Sequence, residues 1–308
     1  MRGIISEKLS DFLEQVNVAA AEAKANNVQY SPELVRGNLN KLSVFLEAGP
    51  VLEFIEDRIF VRNSHEIAVR VYSPSRTEKL PVVLHFHGGG HMCGSIDLYD
   101  PISRKVALQG HCIVICVDYR LAPEHPYPAG VDDCEYALLH YQDVLHGLNY
   151  SSQVYTLGDS AGGAICSTLA MRSAHNQALK IDKQILIYPS VDYTMRLPSV
   201  DENGDGFLLE KARISWYFDN YFSNNESRIS VSPLYNLHTN LPKTLVLTAG
   251  CDPLRDEGLA YVTALKELGV DVEHYQFDGM IHAYMLLESL VTEECQQSYQ
   301  IIADYIRA

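Results

Sequence analysis

The sequence of 308 residues predicts an α/β fold with a mostly parallel, eight-stranded sheet flanked by helices. Eight short runs of apolar and β-branched residues are spread along the chain, and from the third run onward helical patterns separate them. Strands that are joined through helices pair in parallel with right-handed crossovers. The runs are 53–61, 67–72, 81–86, 112–119, 153–157, 184–188, 243–248 and 272–277.

Two helical stretches depart from this alternation, and we expect both to form a helical cap on a single domain that spans residues 1–308. They cover about 1–47 and 192–225. In the first, apolar residues suit one face of a helix: Ile4, Ile5, Leu9, Phe12, Leu13 and Val16. The second is rich in aromatic residues, which either line a substrate pocket or only pack the cap onto the sheet.

The composition limits the partners that the protein can have. A net charge of −15 disfavours binding to nucleic acids and to anionic membrane surfaces. The chain has no apolar stretch long enough to span a bilayer, and residues 1–18 contain no secretory signal core. Seven cysteines without paired spacing indicate reduced thiols and a cytoplasmic location. We therefore expect a small-molecule partner and no cofactor, and we leave a homodimer open.

The segment Gly-Asp-Ser-Ala-Gly at 158–162 fits the nucleophile-elbow pattern Gly-x-Ser-x-Gly. It follows the buried run 153–157 and precedes a helical pattern over 161–173, so Ser160 is expected on a tight, strained turn. Strand and helix crowd together there, which explains a glycine on each side of the serine. The amide of Ala161 would open the helix and point at the carbonyl oxygen of a bound ester.

A run of three glycines follows the third predicted strand and suggests the rest of an oxyanion hole. Gly88, Gly89 and Gly90 let the main chain approach a substrate closely. The amides of Gly88 and Gly89 are the expected donors, together with Ala161. His87 is expected to hold this loop by hydrogen bonds.

The acid and the base are expected in the last third of the chain. Asp252 lies just past the run 243–248, where open α/β sheets place their sites, and His282 lies in the loop after 272–277. Neutral His282 would take the proton from Ser160, while Asp252 would orient the imidazole. Asp256 is the alternative acid. The order Ser, Asp, His is the one that α/β-hydrolases use.

Together these segments identify a resemblance to the hormone-sensitive lipase family of esterases, also called bacterial esterase family IV, within the α/β-hydrolases. The matching segments are 87–90, 118–124, 158–163, 252–258 and 279–282. The resemblance implies the α/β-hydrolase fold with a cap and hydrolysis of carboxylic esters through an acyl-enzyme. The position after the glycine run is usually a large aromatic residue in this family, whereas this chain has His91. The expected substrate-binding residues are His91, Trp216 and Ile281, and a polar His91 beside a compact cap predicts short acyl chains.

Two other functions remain open at this stage. His85, His87 and His91 resemble a metal cluster, which would make the protein a metal-dependent hydrolase, although no carboxylate follows at ligand spacing. A non-catalytic ligand-binding protein on a hydrolase scaffold is the other alternative; the plant gibberellin receptors, which resemble this family, lack the catalytic histidine. The presence of His282 counts against that interpretation.

The acidic segment 201–206 starts like a calcium-binding loop. Such a loop needs a bidentate glutamate at its twelfth position, which is Ala212 in this chain. We expect instead an acidic turn that caps a helix beginning near Phe207.

Overall fold

The computed structural model describes residues 1–62 and 65–308 and contains one eight-stranded sheet. Its spatial order is β1-β2-β4-β3-β5-β6-β7-β8. Strand β2 is antiparallel to both β1 and β4, and all other neighbours are parallel. The strands are β1 Phe54–Val61, β2 Glu66–Ser73, β3 Leu80–Phe86, β4 Ile113–Val117, β5 Tyr150–Asp159, β6 Lys183–Ile187, β7 Lys243–Cys251 and β8 Val272–Ile281. The predicted mostly parallel sheet of eight strands is confirmed.

Ten α-helices accompany the sheet in the described part of the chain. They are α1 Ser10–Ala25, α2 Pro32–Asn40, α3 Ile96–Gly110, α4 Ala129–His140, α5 Ala161–Ser173, α6 Pro198–Glu202, α7 Lys211–Tyr221, α8 Arg228–Val231, α9 Arg255–Glu267 and α10 Thr292–Arg307. Among residues 1–62 and 65–308, none of these helices is both long enough and apolar enough to cross a membrane.

The sheet is buried on both faces, as expected for parallel strands that helices cover on each side. Alternate residues of one strand point to opposite faces. On β7, Leu245 and Leu247 belong to the apolar cluster that includes α3 and α10, whereas Val246 belongs to the cluster that includes α4, α5 and α9. The side chains of the central strands therefore form two cores, one on each side of the sheet.

A third apolar cluster lies outside these two cores and joins the segments assigned to the cap to the loops that follow the strands. It contains Val35 of α2, Ile214 and Phe218 of α7, Met92 and Leu254. We keep the name cap segments for residues 1–47 and 192–225. Their division from the rest of the domain stays a prediction.

Two helix boundaries differ from those expected. Residues 1–6 are not helical, and Ile4 is 87% exposed, so the apolar helix face begins with Leu9 and Leu13, while Ile5 packs against the core from outside the helix. The expected helix start near Phe207 is also wrong, because α7 begins at Lys211. In both places the chain is held by contacts with distant segments, which local periodicity does not reveal.

Candidate active site

Ser160 lies on the turn between β5, which ends at Asp159, and α5, which begins at Ala161. Its backbone has φ of 52° and ψ of −117°, a strained conformation that residues other than glycine rarely adopt. A Cβ on Gly162 would lie 1.8 Å from the carbonyl oxygen of Phe86. Only glycine fits there, so the crowding expected from the sequence pattern is present in the structure.

Three side chains form a continuous chain of hydrogen bonds. Oγ of Ser160 lies 2.8 Å from Nε2 of His282, and Nδ1 of His282 lies 2.7 Å from Oδ2 of Asp252. All three residues are buried. A neutral imidazole that donates its Nδ1–H to the carboxylate keeps the Nε2 lone pair directed at the serine hydroxyl. The arrangement can therefore accept a proton from Ser160.

The parallel strands β7 and β8 bring the acid and the base together, because Asp252 and His282 each follow the last residue of one of them. The other carboxylate oxygen of Asp252, Oδ1, accepts a hydrogen bond from the amide of Leu254 at 2.7 Å, which fixes the side chain just before the start of α9. Asp256 lies inside α9 and binds the amide of Ser199 instead. The structure thus places Asp252, and not Asp256, beside His282.

The loop after β3 departs from the sequence expectation at Gly88. Its amide donates to Oδ1 of Asp159 at 2.6 Å, and Gly88 does not line the cavity that contains Ser160. Gly89, Gly90 and Ala161 do line it, and among the described residues their amides donate to no protein acceptor. Gly89 has φ of 122°, which requires glycine. The free amides at this site are therefore those of Gly89, Gly90 and Ala161, and the assignment of Gly88 is corrected.

Asp159 ties this loop to the nucleophile turn. Besides the Gly88 amide, its carboxylate accepts the hydroxyl of Tyr99 at 3.0 Å. The side chain is 4% exposed, and no cation pairs with it among residues 1–62 and 65–308. Burial raises the pKa of Asp159 to about 6, although the two hydrogen bonds favour the ionised form.

The three histidines of the metal hypothesis each have a different partner. His85 Nδ1 lies 2.9 Å from the hydroxyl of Ser103, and His91 Nε2 lies 3.2 Å from the hydroxyl of Tyr193. Nδ1 of His87 donates to the carbonyl of Gly88 at 2.9 Å, as expected for a loop-holding residue. In the part of the chain that the structure describes, no group of three histidine, cysteine or acidic side chains is placed to hold a metal ion.

Burial keeps these three imidazoles neutral. It lowers the pKa of His87 to about 4 and those of His85 and His91 to about 3. The ring of His87 is stacked between Tyr99 and Tyr119, with centroid distances of 5.4 and 4.5 Å. These contacts give each ring a structural role.

A cavity of about 1170 Å³ contains Ser160 and His282 in its wall. Residues of both cap segments line it together with the loops after the strands. From the first segment come Phe12, Val16, Asn17, Ala19, Ala20, Ala21, Ala23, Lys24, Val28, Gln29, Tyr30, Leu34, Val35, Asn38, Leu39, Lys41, Leu42 and Phe45. Helix α1 therefore forms a large part of the wall.

The predicted substrate-binding residues occupy different places. His91 lines the cavity but is only 2% exposed, and its ring stacks on that of Tyr221 with the centroids 3.9 Å apart. The ring of Trp216 packs on that of Tyr30, with the centroids 5.6 Å apart. Ile281 is fully buried in the core beside α10. Among the described residues that line the cavity, neither Trp216 nor Ile281 occurs.

Tyr217 is one of the aromatic residues of the second cap segment, but the substrate-binding residues chosen from the sequence did not include it; it lines the cavity beside the glycine loop. A Cβ on Gly90 would lie 2.6 Å from the Tyr217 ring, so the two are in close contact. The lining positions of α7 include Arg213, Ile214 and Tyr217, which recur at helical spacing. That periodicity was the available signal, and it places Trp216 on a different side of the helix.

Comparisons with known proteins agree with this geometry. A family model described as the alpha/beta hydrolase fold matches residues 83–286. Carboxylesterase NlhH of Mycobacterium tuberculosis is 34% identical over 284 residues, which are 90% of this chain and 89% of that protein. Ethyl acetate hydrolase of Pseudomonas putida is 33% identical over 240 residues, covering 75% and 76% of the two chains.

The solved structures lead to the same fold. A hyperthermophilic esterase from the archaeon Pyrobaculum calidifontis superimposes with a TM-score of 0.87 at 30% identity, and 98% of each chain is covered. An ester hydrolase from the metagenome of Lake Arreo gives a TM-score of 0.88 at 28% identity, again over 98% of each chain. The fold class expected from the sequence is confirmed.

The space around Gly162 and Gly37 predicts opposite effects on stability when each is replaced by alanine. Gly162→Ala should lower the free energy of unfolding by about 4 kcal/mol or more, because the new methyl overlaps the Phe86 carbonyl. Gly37→Ala is the control: Gly37 lies inside α2 with open space around it. That change should raise the free energy of unfolding by about 0.5–1 kcal/mol. Urea unfolding measures both, and a stable Gly162→Ala variant would contradict the close approach.

The raised pKa of Asp159 predicts how stability depends on pH. A carboxyl whose folded pKa lies above its unfolded value binds its proton more tightly when folded, so stability falls as pH rises toward about 6. Between pH 5 and pH 7.5 this group should lower the free energy of unfolding by about 1–2 kcal/mol. Asp159→Asn removes that dependence. Its stability relative to the native protein, measured in urea at both pH values, should therefore improve at the higher pH; an unchanged difference would contradict the assignment.

Proposed function

The chain belongs to the α/β-hydrolase family and is a carboxylic ester hydrolase, and we propose that it is a serine esterase that hydrolyses short-chain acyl esters through an acyl-enzyme. The observation that carries this proposal is the hydrogen-bond chain from Ser160 through His282 to Asp252. The separate partners of the three buried histidines count against the metal-dependent alternative.

In the first half of the reaction, Oγ of Ser160 attacks the ester carbonyl while Nε2 of His282 takes its proton. Asp252 holds the imidazole in the tautomer that can accept that proton and stabilises the imidazolium. Negative charge develops on the carbonyl oxygen, where the free amides of Gly89, Gly90 and Ala161 can donate to it. Each such donor contributes about 3–4 kcal/mol to transition-state stabilisation.

In the second half, the imidazolium of His282 returns the proton to the leaving alkoxide, and the alcohol departs. The acyl group remains bonded to Ser160. A water molecule then attacks the acyl carbon while Nε2 of His282 takes its proton. The bond between the acyl carbon and Oγ of Ser160 breaks, the imidazolium returns the proton to Oγ, and the carboxylic acid is released. The buried position of the three side chains keeps bulk water from competing for their hydrogen bonds.

Two features support a short acyl group. Tyr217 lies against Gly90, so the space beside the proposed oxyanion donors is narrow, and the relative from Pseudomonas putida is named an ethyl acetate hydrolase. The cavity of about 1170 Å³ is much larger than a short acyl group. We assign the remaining space, which α1 lines with small apolar residues, to the alcohol part of the ester.

The cytoplasm is the compartment that we propose for this enzyme. All seven cysteines are free thiols, and all are buried. Thiols of this kind are typical of proteins from reducing compartments.

The proposed nucleophile predicts covalent labelling by an active-site-directed phosphonate. Peptide mass spectrometry should place the adduct on Ser160, and Ser160→Ala should abolish it. Ser160→Ala and His282→Ala should each lower kcat by several orders of magnitude, and the double variant should be little worse, because the members act as a unit. Asp256→Asn is the matched control for Asp252→Asn. An adduct elsewhere, or similar losses in both asparagine variants, would disprove the assignment.

The division of the cavity predicts different responses to the two halves of the ester. With p-nitrophenyl esters of graded acyl length, kcat/KM should peak between acetyl and about hexanoyl. With acetate esters of graded alcohol length, kcat/KM should keep rising as more apolar surface is buried, by up to about 0.8 kcal/mol per methylene. Maximal activity on dodecanoyl esters would reverse the assignment of the two halves.

A further inference from the structure

The first residues of the chain cross the ends of the two strands that deliver the acid and the base. We call residues 3–6 the N-terminal strap. The amide of Ser6 donates to the carbonyl of Gly279 in β8 at 3.0 Å. Gly3 lies against β7, where a Cβ would be 2.6 Å from both the Gly250 oxygen and the Cys251 sulfur. The strap therefore contacts β7 and β8 near the places where they lead into Asp252 and His282.

Asn203, which follows α6 in the second cap segment, connects the strap to the acid. Its Oδ1 accepts the amide of Gly3 at 2.9 Å. Its Nδ2 donates to the carbonyls of Gly250 and Asp252 at 3.2 and 3.0 Å. The side chain is fully buried. One amide group thus joins the strap, a cap segment and the peptide of Asp252.

We propose that Asn203 is a positioning residue for ester hydrolysis: together with the strap, it fixes Asp252 relative to His282. This inference rests on the proposed function of those two residues. Asn203 does not line the cavity among the described residues, so it acts through Asp252 and not on the substrate.

The location of the contacts explains why they matter for catalysis. Among the strands of residues 1–62 and 65–308, β8 lies at the edge of the sheet and pairs with β7 alone. The pairing of β7 with β8 is irregular between Ala249 and Cys251, directly before Asp252. Pairing resumes with Cys251 opposite Ile281, so a single residue pair after the irregularity holds the two strands together directly before Asp252 and His282. The strap and Asn203 add contacts at that point.

The test compares Asn203 with a buried amide at the opposite end of the strands, near the starts of β6 and β7. Asn203→Ala removes all three hydrogen bonds. Asn203→Asp keeps an acceptor for the amide of Gly3, but it replaces the Nδ2 donor by a carboxylate oxygen, which repels the carbonyls of Gly250 and Asp252. The matched control is Gln184→Ala. Gln184 is also fully buried, and its Nε2 donates to Thr244 at 2.9 Å, near the starts of β6 and β7.

The strap is tested by a second pair of variants at Ser6. Ser6→Pro removes the amide that binds Gly279, and the native φ of −62° suits proline. Ser6→Ala keeps that amide and is the control. Ser6→Pro should lower kcat in the same way as the Asn203 variants, whereas Ser6→Ala should leave kcat unchanged.

All variants are compared by kcat per active site, after the active sites have been counted with a phosphonate titrant, and by thermal unfolding. Both Asn203 variants should lose about ten- to a hundredfold in kcat per titrated site, with KM changed less than threefold, because a displaced acid misorients the base. Gln184→Ala should keep kcat within twofold, even where its unfolding temperature falls. The low-field proton NMR signal of the Asp252–His282 hydrogen bond should weaken only in the Asn203 and Ser6→Pro proteins.

Two results would overturn the inference: native kcat per titrated site in both Asn203 variants, or an equal loss in Gln184→Ala. Failure of the native protein to react with the titrant would instead refute the proposed function. The two failures are therefore distinguishable.

Discussion

The site depends on the contact between the first turn of α5 and the end of β3. Two main-chain segments meet there with no side chain between them. The carbonyl of Phe86 occupies the space that any side chain at position 162 would need. The next residues after Phe86 form the loop with Gly89 and Gly90, and the residues just before Gly162 are Ser160 and Ala161. One close approach therefore brings the serine hydroxyl and three free amides to the same point, through short covalent connections that leave little freedom.

Asp159 shows the cost of holding this arrangement. A buried carboxylate without a cation is unfavourable, and its raised pKa reflects that cost. The same carboxylate binds the amide of Gly88, so it joins the serine turn to the amide loop. Tyr99 donates a second hydrogen bond and itself lines the cavity. A neutral side chain would avoid the desolvation but would accept these two hydrogen bonds less strongly, so the structure sacrifices stability for a fixed geometry.

Most of the fold and the central part of the site were predictable, because both depend on local patterns. Buried strands are continuous apolar runs, and Ser160, Asp252 and His282 each follow such a run, where parallel sheets place functional side chains. The expectation for Gly88 was wrong because the partner of its amide, Asp159, is 71 residues away in sequence. Trp216 was chosen over Tyr217 because a segment rich in aromatic residues does not show which of them face the cavity. Neighbouring side chains on a helix point in directions that differ by about 100°.

The first residues of the chain illustrate the same limit and explain why the strap is not evident from sequence. Apolar spacing suggested that Ile4 and Ile5 continue the helix face of Leu9 and Leu13, yet Ile4 is exposed and the chain is extended at Ser6. Main-chain contacts with the ends of β7 and β8 and the hydrogen bond from Gly3 to Asn203 hold this segment, and side-chain periodicity carries no information about either. The segment continues into α1, whose residues line the cavity. Part of the cavity wall and part of the support of the acid–base pair thus belong to one continuous stretch of chain.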